Sequence, residues 1–229
     1  MNVEIWSDIM CPFCYIGKRK FEAALKQFDH KEDIKVTWRS FQLNPELNAK
    51  PGTHIDQYLA EHKGWTVEYA RKVNQQVTDM AKQAGLEYDF DKAVVANTAL
   101  AHQLIHIADK KGLGDAAKET LLKAYFTDGE NVGDVETLVA IGVKLGLQQD
   151  EVREALETGR YEDEVFADQQ RAAEIGVRGV PFFVFDEKYA VSGAQPSEVF
   201  LGALQQSWTE AQAAPGDEGG FCTVDGKCN

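Results

Sequence analysis

The sequence predicts an α/β fold in which a large all-helical insertion interrupts a small sheet. Strand-like segments lie at both ends of the chain, "NVEIWSDI" and "FFVF", and residues 54–175 between them have almost wholly helical patterns. A strand needs neighbours for its backbone hydrogen bonds, so the terminal segments are expected to share one sheet. With 229 residues, the chain can enclose a sizeable core.

The N-terminal part predicts a strand, a helix and a second strand. "NVEIWSDI" ends at the polar residues Ser7 and Asp8. A helix is expected from near Cys11, because Pro12 is tolerated in a first helical turn. "IKVTWRSF" predicts the second strand, after which "NP" and "AKPG" break the chain.

Glycines mark the predicted ends of the inserted helices. Glycine suits the left-handed residue that follows many helices. The helical patterns stop at Gly85, Gly112, Gly146 and Gly176. Asp134 precedes "VETLVAIGVKL" and is predicted to cap that helix, since its carboxylate can accept from free backbone N–H groups.

The C-terminal part returns to the sheet and then to a helix. "FFVF" and "YAVSG" predict a hairpin across "DEK", and Pro196 and Ser197 open a closing helix. We therefore place a discontinuous sheet-bearing domain at residues 1–50 and 176–212. The helical insertion subdomain is placed at 51–175, and a flexible, glycine-rich tail at 213–229.

Composition limits the partners and the compartment. The formal net charge of −13 predicts a chain that repels nucleic acid and anionic membrane surfaces. The N-terminus "MNVEIWSDIM" has neither the basic nor the apolar region of a secretory signal. We therefore expect a cytoplasmic protein, in a compartment where cysteines are usually kept reduced.

The four cysteines occur as two close pairs, Cys11 with Cys14 and Cys222 with Cys228. Cys11 is placed at the start of a helix, where free N–H groups and the helix dipole favour a thiolate. We therefore predict a lowered pKa for Cys11, which would be the nucleophile. Cys14, one turn on, is placed to resolve a mixed disulfide at Cys11.

Two other interpretations of the first pair stay open. Cys11 and Cys14 could be half of a zinc site, with Cys222 and Cys228 as the other half, although the gap between the latter is wide for zinc. They could also be inert core thiols. We disfavour that interpretation because Pro12 and the helix start are expected to expose this turn, and we predict no bound metal.

A second element of the site is "GVPFF", in which a proline enters a strand. Proline is disfavoured in a strand unless the backbone has an unusual conformation at that point. A cis Val180–Pro181 bond would be such a conformation, and we favour it. It would leave the backbone of Val180 free to pair with an extended substrate, as a strand edge does. The alternative is a trans proline that merely starts the strand.

Several motifs in order resemble one family from about Val3 to Trp208. "SDIMCPFCYIG", "RSFQLNP", "ANTALAHQLIHIA", "AYFTDGENVGDVETL" and "GVRGVPFFVF" are similar to the DsbA-like thioredoxin family. That family includes the FrnE-type disulfide oxidoreductases and the 2-hydroxychromene-2-carboxylate isomerases. The resemblance implies a thioredoxin fold with a helical insertion, a redox pair at Cys11 and Cys14, and a cis proline at Pro181.

The resemblance also separates two branches. The isomerase branch typically has serine where this chain has Cys11, and it uses bound glutathione. Retention of both cysteines favours the redox branch.

Other residues are weaker candidates. One predicted helix carries Asn97, His102 and His106, and in the resemblance this helix borders the cleft above the active site. Phe13 is a further candidate for this cleft. His102 and His106 have a spacing that can bind metal, but no third ligand lies nearby in sequence, so an ordinary helix is favoured. Aromatic residues near the cysteines are expected to be shared between core and rim: Trp6, Phe13, Tyr15 and Phe41.

The tail pair, Cys222 and Cys228, has three interpretations: a local disulfide, an occasional metal site, or a mobile dithiol that exchanges with Cys11 and Cys14. We favour exchange. A flexible segment of about a dozen residues has a root-mean-square reach of roughly 20 Å. Tethering at that range raises the effective thiol concentration to about millimolar.

The sequence thus predicts an enzyme, a cytoplasmic thiol–disulfide oxidoreductase that reduces, oxidises or isomerises disulfides. Its partners would be protein or small-molecule disulfides and a thiol reductant or oxidant, with no bound cofactor and with glutathione as a potential co-substrate. Two alternatives remain: a glutathione-dependent isomerase or transferase, and a peptide-binding chaperone that uses an apolar cleft.

Overall fold

A computed structural model describes residues 1–213 except Ala49 and Pro51, and the tail pair Cys222 and Cys228 lies outside the described residues. The described strands form one mixed sheet in the order β2-β1-β3-β4. Their bounds are β1 Asn2–Ser7, β2 Lys35–Ser40, β3 Phe182–Phe185 and β4 Tyr189–Ser192. β1 runs parallel to β2 and antiparallel to β3, so the two ends of the chain meet in one sheet as predicted.

Helices occupy both sides of the sheet. α1 follows β1 and α9 closes the described chain, at Pro12–Gln27 and Ser197–Ala213. The seven α-helices between β2 and β3 are α2 Ile55–Lys63, α3 Val67–Gln83, α4 Ala99–Asp109, α5 Gly114–Lys123, α6 Val135–Lys144, α7 Gln149–Glu157 and α8 Glu162–Glu174. Residues Lys31–Asp33 form a 3₁₀ turn, and Ala124–Asp128 form a π-helical turn directly after α5.

The predicted helix boundaries have physical support. The carboxylate of Asp134 accepts a hydrogen bond from the Thr137 backbone N–H, which confirms the predicted cap. All four glycines predicted to follow helices have positive φ: Gly85, Gly112, Gly146 and Gly176. The sequence interpretation missed equivalent left-handed glycines after other helical segments, namely Gly64, Gly129 and Gly159.

The core lies on both faces of the sheet. On one face, rings of β3 pack against rings of α1 and α9; this cluster is Phe21, Phe183, Phe185 and Phe200. On the other face, Trp6 is buried and its indole N–H donates to the backbone oxygen of Asp168 in α8. One continuous apolar core joins the sheet to the inserted helices, so the insertion packs on the sheet directly.

No helix within the described ranges combines the length and apolar character that crossing a bilayer requires.

Candidate active site

Cys11 and Cys14 lie at the N-terminus of α1. Cys11 has extended backbone and immediately precedes the helix, and the Cys14 backbone N–H donates to the Cys11 carbonyl at 3.0 Å. Both thiols are free, and both residues are buried, at 4% and 1% exposure. The expectation that this turn exposes the cysteines is therefore wrong. The exposed residue is Phe13, at 38%.

The Val180–Pro181 peptide bond is cis, and this loop lies against the cysteine pair. The Cys11 sulfur lies 3.4 Å from the Val180 carbonyl oxygen. Gly17 makes the approach feasible, because a Cβ at that position would lie 2.9 Å from Cγ of Pro181. The structure thus brings together Cys11, Cys14, Val180 and Pro181, which the sequence analysis had selected from opposite ends of the chain.

The pKa directions of the two thiols differ from the prediction. Burial opposes ionisation of Cys14, but a hydrogen bond from the Cys11 thiol and the charge of Lys118 outweigh it. A thiolate at Cys14 would also accept from the Ser7 hydroxyl and the Asp8 backbone N–H, and together these groups bring the Cys14 pKa below its ordinary value. The hydrogen bond to Cys14, together with burial, raises the pKa of Cys11 well above its ordinary value. For the reduced pair, the pKa of Cys11 therefore moves in the direction opposite to the prediction.

A fully buried carboxylate, Asp8, lies beside the pair. It accepts from the Leu43 backbone N–H at 2.7 Å and from the Thr98 hydroxyl at 2.8 Å, and His102 Nε2 lies 3.3 Å away. Burial opposes ionisation of Asp8, but these donors bring its pKa below the ordinary value. Burial lowers the pKa of His102, which has no exposed surface. His102 therefore supports Asp8 from behind and does not line an open cleft.

Asn97 and His106 also have structural partners. Asn97 lies before α4 rather than on it, and its side-chain oxygen accepts from the Ala99 backbone N–H at 2.9 Å. His106 Nε2 lies 3.0 Å from the Ser40 hydroxyl and 3.2 Å from the Asp168 carboxylate. Within the described part of the chain, no three histidine, cysteine or acidic side chains are placed to share a metal ion.

An apolar cavity of about 520 Å³ adjoins the cysteine turn. Phe13 forms part of its wall, with side chains from α2, α3 and the π-helical turn. The aromatic residues of the wall are Phe13, Tyr58, Trp65, Phe90, Tyr125 and Phe126. Of the other predicted rim residues, Trp6 and Tyr15 are buried and Phe41 is half-buried, so only Phe13 belongs to this wall.

The sequence analysis missed a buried charged residue near the cysteines. Lys118 of α5 has no exposed surface, and its ammonium donates to the Ser7 backbone oxygen at 3.2 Å. The available signal was its position, since Lys118 falls on the apolar stripe of α5 with Ala117, Leu121 and Leu122. A charged residue on such a stripe is expected to be buried, and a buried charge is unusual enough to indicate a role.

A four-stranded sheet with a reduced cysteine pair at a helix N-terminus, in contact with the Val180–Pro181 loop, defines a thioredoxin-like redox protein. The model of the DSBA-like thioredoxin domain matches residues 2–205. The chain therefore belongs to the DsbA-like thioredoxin family and is an enzyme of the disulfide oxidoreductase and isomerase class, as the sequence motifs predicted.

Solved structures agree with this assignment. A probable DsbA oxidoreductase from Streptomyces coelicolor is 39% identical, with a TM-score of 0.89 over 100% of this chain and 98% of that chain. The cytosolic disulfide reductase DsbM from Pseudomonas aeruginosa, with GSH, is 15% identical, with a TM-score of 0.62 over 93% and 99% of the two chains. A 2-hydroxychromene-2-carboxylate isomerase is also 15% identical, with a TM-score of 0.62 over 93% and 98%. The last two share the fold.

Proposed function

We propose that the protein catalyses thiol–disulfide exchange through Cys11 and Cys14. The observation that carries the proposal is the juxtaposition of two free thiols with the Val180–Pro181 loop, in which the Val180 carbonyl oxygen lies 3.4 Å from the Cys11 sulfur. Cys11 precedes the helix and contacts the Val180–Pro181 loop, so an incoming disulfide meets Cys11 first.

The reaction proceeds in two exchanges. The Cys11 sulfur attacks one sulfur of the substrate disulfide while its proton passes to the Cys14 thiolate, and the first substrate thiolate leaves. Cys14 then gives up its proton, which the departed thiolate takes. The Cys14 thiolate attacks Cys11, so the Cys11–Cys14 bond forms and the second substrate thiolate leaves. The substrate is reduced by two electrons, the pair is oxidised, and the reverse sequence oxidises a dithiol.

The surroundings favour a substrate with an extended backbone and an apolar side chain. The backbone of Val180 would pair with the extended segment, and the cavity beside Phe13 would take the side chain. Protein or small-molecule disulfides are the proposed substrates, with a thiol such as glutathione as co-substrate. A cytoplasmic location and a FrnE-type role remain part of this proposal.

A redox titration tests the proposal. The protein is equilibrated in glutathione buffers of stepped potential, its thiols are trapped by alkylation, and each cysteine pair is quantified by peptide mass spectrometry. We expect a reversible Cys11–Cys14 disulfide with a midpoint between about −270 and −120 mV. A pair that never forms a disulfide would contradict the proposal.

A second candidate function is a glutathione-dependent isomerase or transferase, favoured by the apolar cavity of about 520 Å³, which has room for a small aromatic substrate. The two candidates differ in their need for Cys14. Cys14→Ser should abolish disulfide turnover and trap a glutathione adduct on Cys11. An isomerase or transferase would keep its activity in that variant.

The shuttle role of Cys222 and Cys228 remains a hypothesis from the sequence. Comparison of turnover between the parent chain and Cys222→Ser tests it. Unchanged turnover and an unchanged redox state of Cys11 would reject it.

A further inference from the structure

Lys118 is a buried cation without a carboxylate partner. No acidic side chain of the described residues forms an ion pair with it, and its ammonium donates a hydrogen bond to the Ser7 backbone oxygen. Its ammonium also lies 5.4 Å from the centre of the Trp38 ring. Such a charge is unfavourable in the interior unless an anion forms nearby.

Ser7 supplies a second unused group at the same place. Its residue is fully buried at the end of β1, and its hydroxyl has no hydrogen-bond partner among the described residues. A buried hydroxyl without a partner is uncommon in proteins. The unpaired ammonium and the unpaired hydroxyl therefore meet at one residue, because the carbonyl of Ser7 is the acceptor for Lys118.

Both unused groups act on Cys14. Cys14 has 1% exposure, and against the effect of burial its thiolate is favoured by Lys118 and Ser7, in addition to Cys11. Asp8 does not fill this role, because its carboxylate already receives donors from Leu43 and Thr98 and makes no ion pair with Lys118.

We propose that Lys118 and Ser7 form a buried anion site for the Cys14 thiolate, which they stabilise while Cys14 resolves the mixed disulfide at Cys11. The inference rests on the proposed function and adds to it two positioning residues, one of them delivered by the helical insertion. In the mixed disulfide Cys11 has no proton left to share with Cys14. Lys118 and Ser7 are then the side chains that remain to stabilise the attacking anion.

The resolving step balances without a further reagent. Cys14 loses its proton to the first thiolate released, and its sulfur attacks Cys11. The new Cys11–Cys14 bond replaces the bond between Cys11 and the substrate, whose sulfur leaves with the electron pair. The charge on Lys118 does not change during this step. Other titratable groups that face Cys14 or Lys118 are Cys11, Asp8, Lys18, Tyr88 and His102.

The test follows the glutathione adduct on Cys11 in full-length chains that carry Cys222→Ser and Cys228→Ser. Reduced protein is mixed with glutathione disulfide between pH 6 and 9.5, quenched with acid, and read by intact mass. Lys118→Met and Ser7→Ala are compared with the parent chain. Lys18→Met is the matched control, because Lys18 is also buried near Trp38 but is paired with carboxylates.

We expect Lys118→Met to slow decay of the adduct at pH 7 by about threefold or more. A rise of about one unit in the Cys14 pKa lowers the thiolate fraction tenfold, and greater intrinsic nucleophilicity recovers about threefold of it. The difference in decay rate between Lys118→Met and the parent chain should shrink as the pH rises. Ser7→Ala should show a smaller difference that shrinks in the same way. Lys18→Met should leave the decay unchanged.

Decay at the parental rate in both Lys118→Met and Ser7→Ala would overturn the inference, as would a deficit of equal size at every pH. If Lys118→Met does not fold, Ser7→Ala alone decides. Failure of the proposed function is visible separately, because the parent chain would then keep its adduct and form no Cys11–Cys14 disulfide.

Discussion

Two buried lysines on different helices lie near the Trp38 ring, and their surroundings differ. Lys18 of α1 and Lys118 of α5 lie 5.9 Å and 5.4 Å from the centre of Trp38, at 2% and 0% exposure. Lys18 contacts three carboxylates, those of Glu22, Asp115 and Glu119. Lys118 makes no ion pair within the described chain, and its ammonium donates to a backbone carbonyl, that of Ser7.

The two pKa directions follow from this difference. Burial lowers the pKa of Lys18, but the carboxylates around it outweigh burial and raise the pKa above its ordinary value. Burial dominates at Lys118 and lowers its pKa to about 8. Carboxylates therefore balance the charge of the buried Lys18 ammonium. Near the cysteines, no carboxylate of the described residues pairs with the Lys118 ammonium.

The largest expected effect is on stability. Lys18→Met should lower the free energy of unfolding by about 1–3 kcal/mol, because it leaves a cluster of partly exposed carboxylates with less positive charge. Lys118→Met should stay within about 1 kcal/mol of the parent or exceed it, because an apolar chain replaces an unpaired buried charge. Urea unfolding at pH 7 measures both. A larger loss of stability in Lys118→Met than in Lys18→Met would contradict this expectation.

The two lysines should also differ in how their contributions to stability change with pH. Lys118 has a folded pKa of about 8 and an ordinary value of 10.5. The unfolded chain therefore binds more protons between these values, and stability rises with pH across this window. The parent chain should gain about 2 kcal/mol relative to Lys118→Met between pH 8 and 10. Lys18, whose pKa is raised, should instead contribute stability that is lost above about pH 10.5.

Urea unfolding of the parent and of both methionine variants at pH 7, 8, 9 and 10 measures this dependence. A difference between the parent and Lys118→Met that stays flat, or falls, as the pH rises would show that Lys118 is not held with a depressed pKa.

The sequence alone predicted the parts of the fold that depend on local patterns. Strand placement, the glycine-ended helices and the cap at Asp134 follow from periodicity and turn chemistry, and the structure confirms them. Cys11 and Pro181 could be chosen together because each motif is unusual for its place in a strand or helix. The structure then brings these motifs into contact through Val180.

The electrostatics of the site could not be predicted in the same way. A helix N-terminus argues for a Cys11 thiolate, but the pKa of Cys14 is the one that is lowered. The Cys11 thiol donates to Cys14, and Lys118 approaches from a helix more than a hundred residues away in sequence. His102 fits a cleft by spacing, yet its partner Asp8 places it in the interior. These outcomes depend on which side chains the tertiary fold buries together, and single-sequence patterns do not encode that.

The smallest expected effect extends the comparison from the lysines to two serines. Ser7 and Ser40 end the neighbouring strands β1 and β2 and are opposite each other in register, and both are buried. The Ser40 hydroxyl lies 3.0 Å from His106 Nε2, whereas the Ser7 hydroxyl has no partner among the described residues. A hydroxyl with a partner should be worth more to the reduced protein than one without.

Ser40→Ala should therefore lower the free energy of unfolding by about 1 kcal/mol, and Ser7→Ala should change it by less than about 0.5 kcal/mol. Urea unfolding of the reduced variants at pH 7 measures the difference. Equal losses would mean that the Ser7 hydroxyl is already bonded in the reduced protein, and the site around Cys14 would then not be open for its thiolate. Unequal losses in the expected order would leave Ser7 as a group whose partner forms only when Cys14 is ionised.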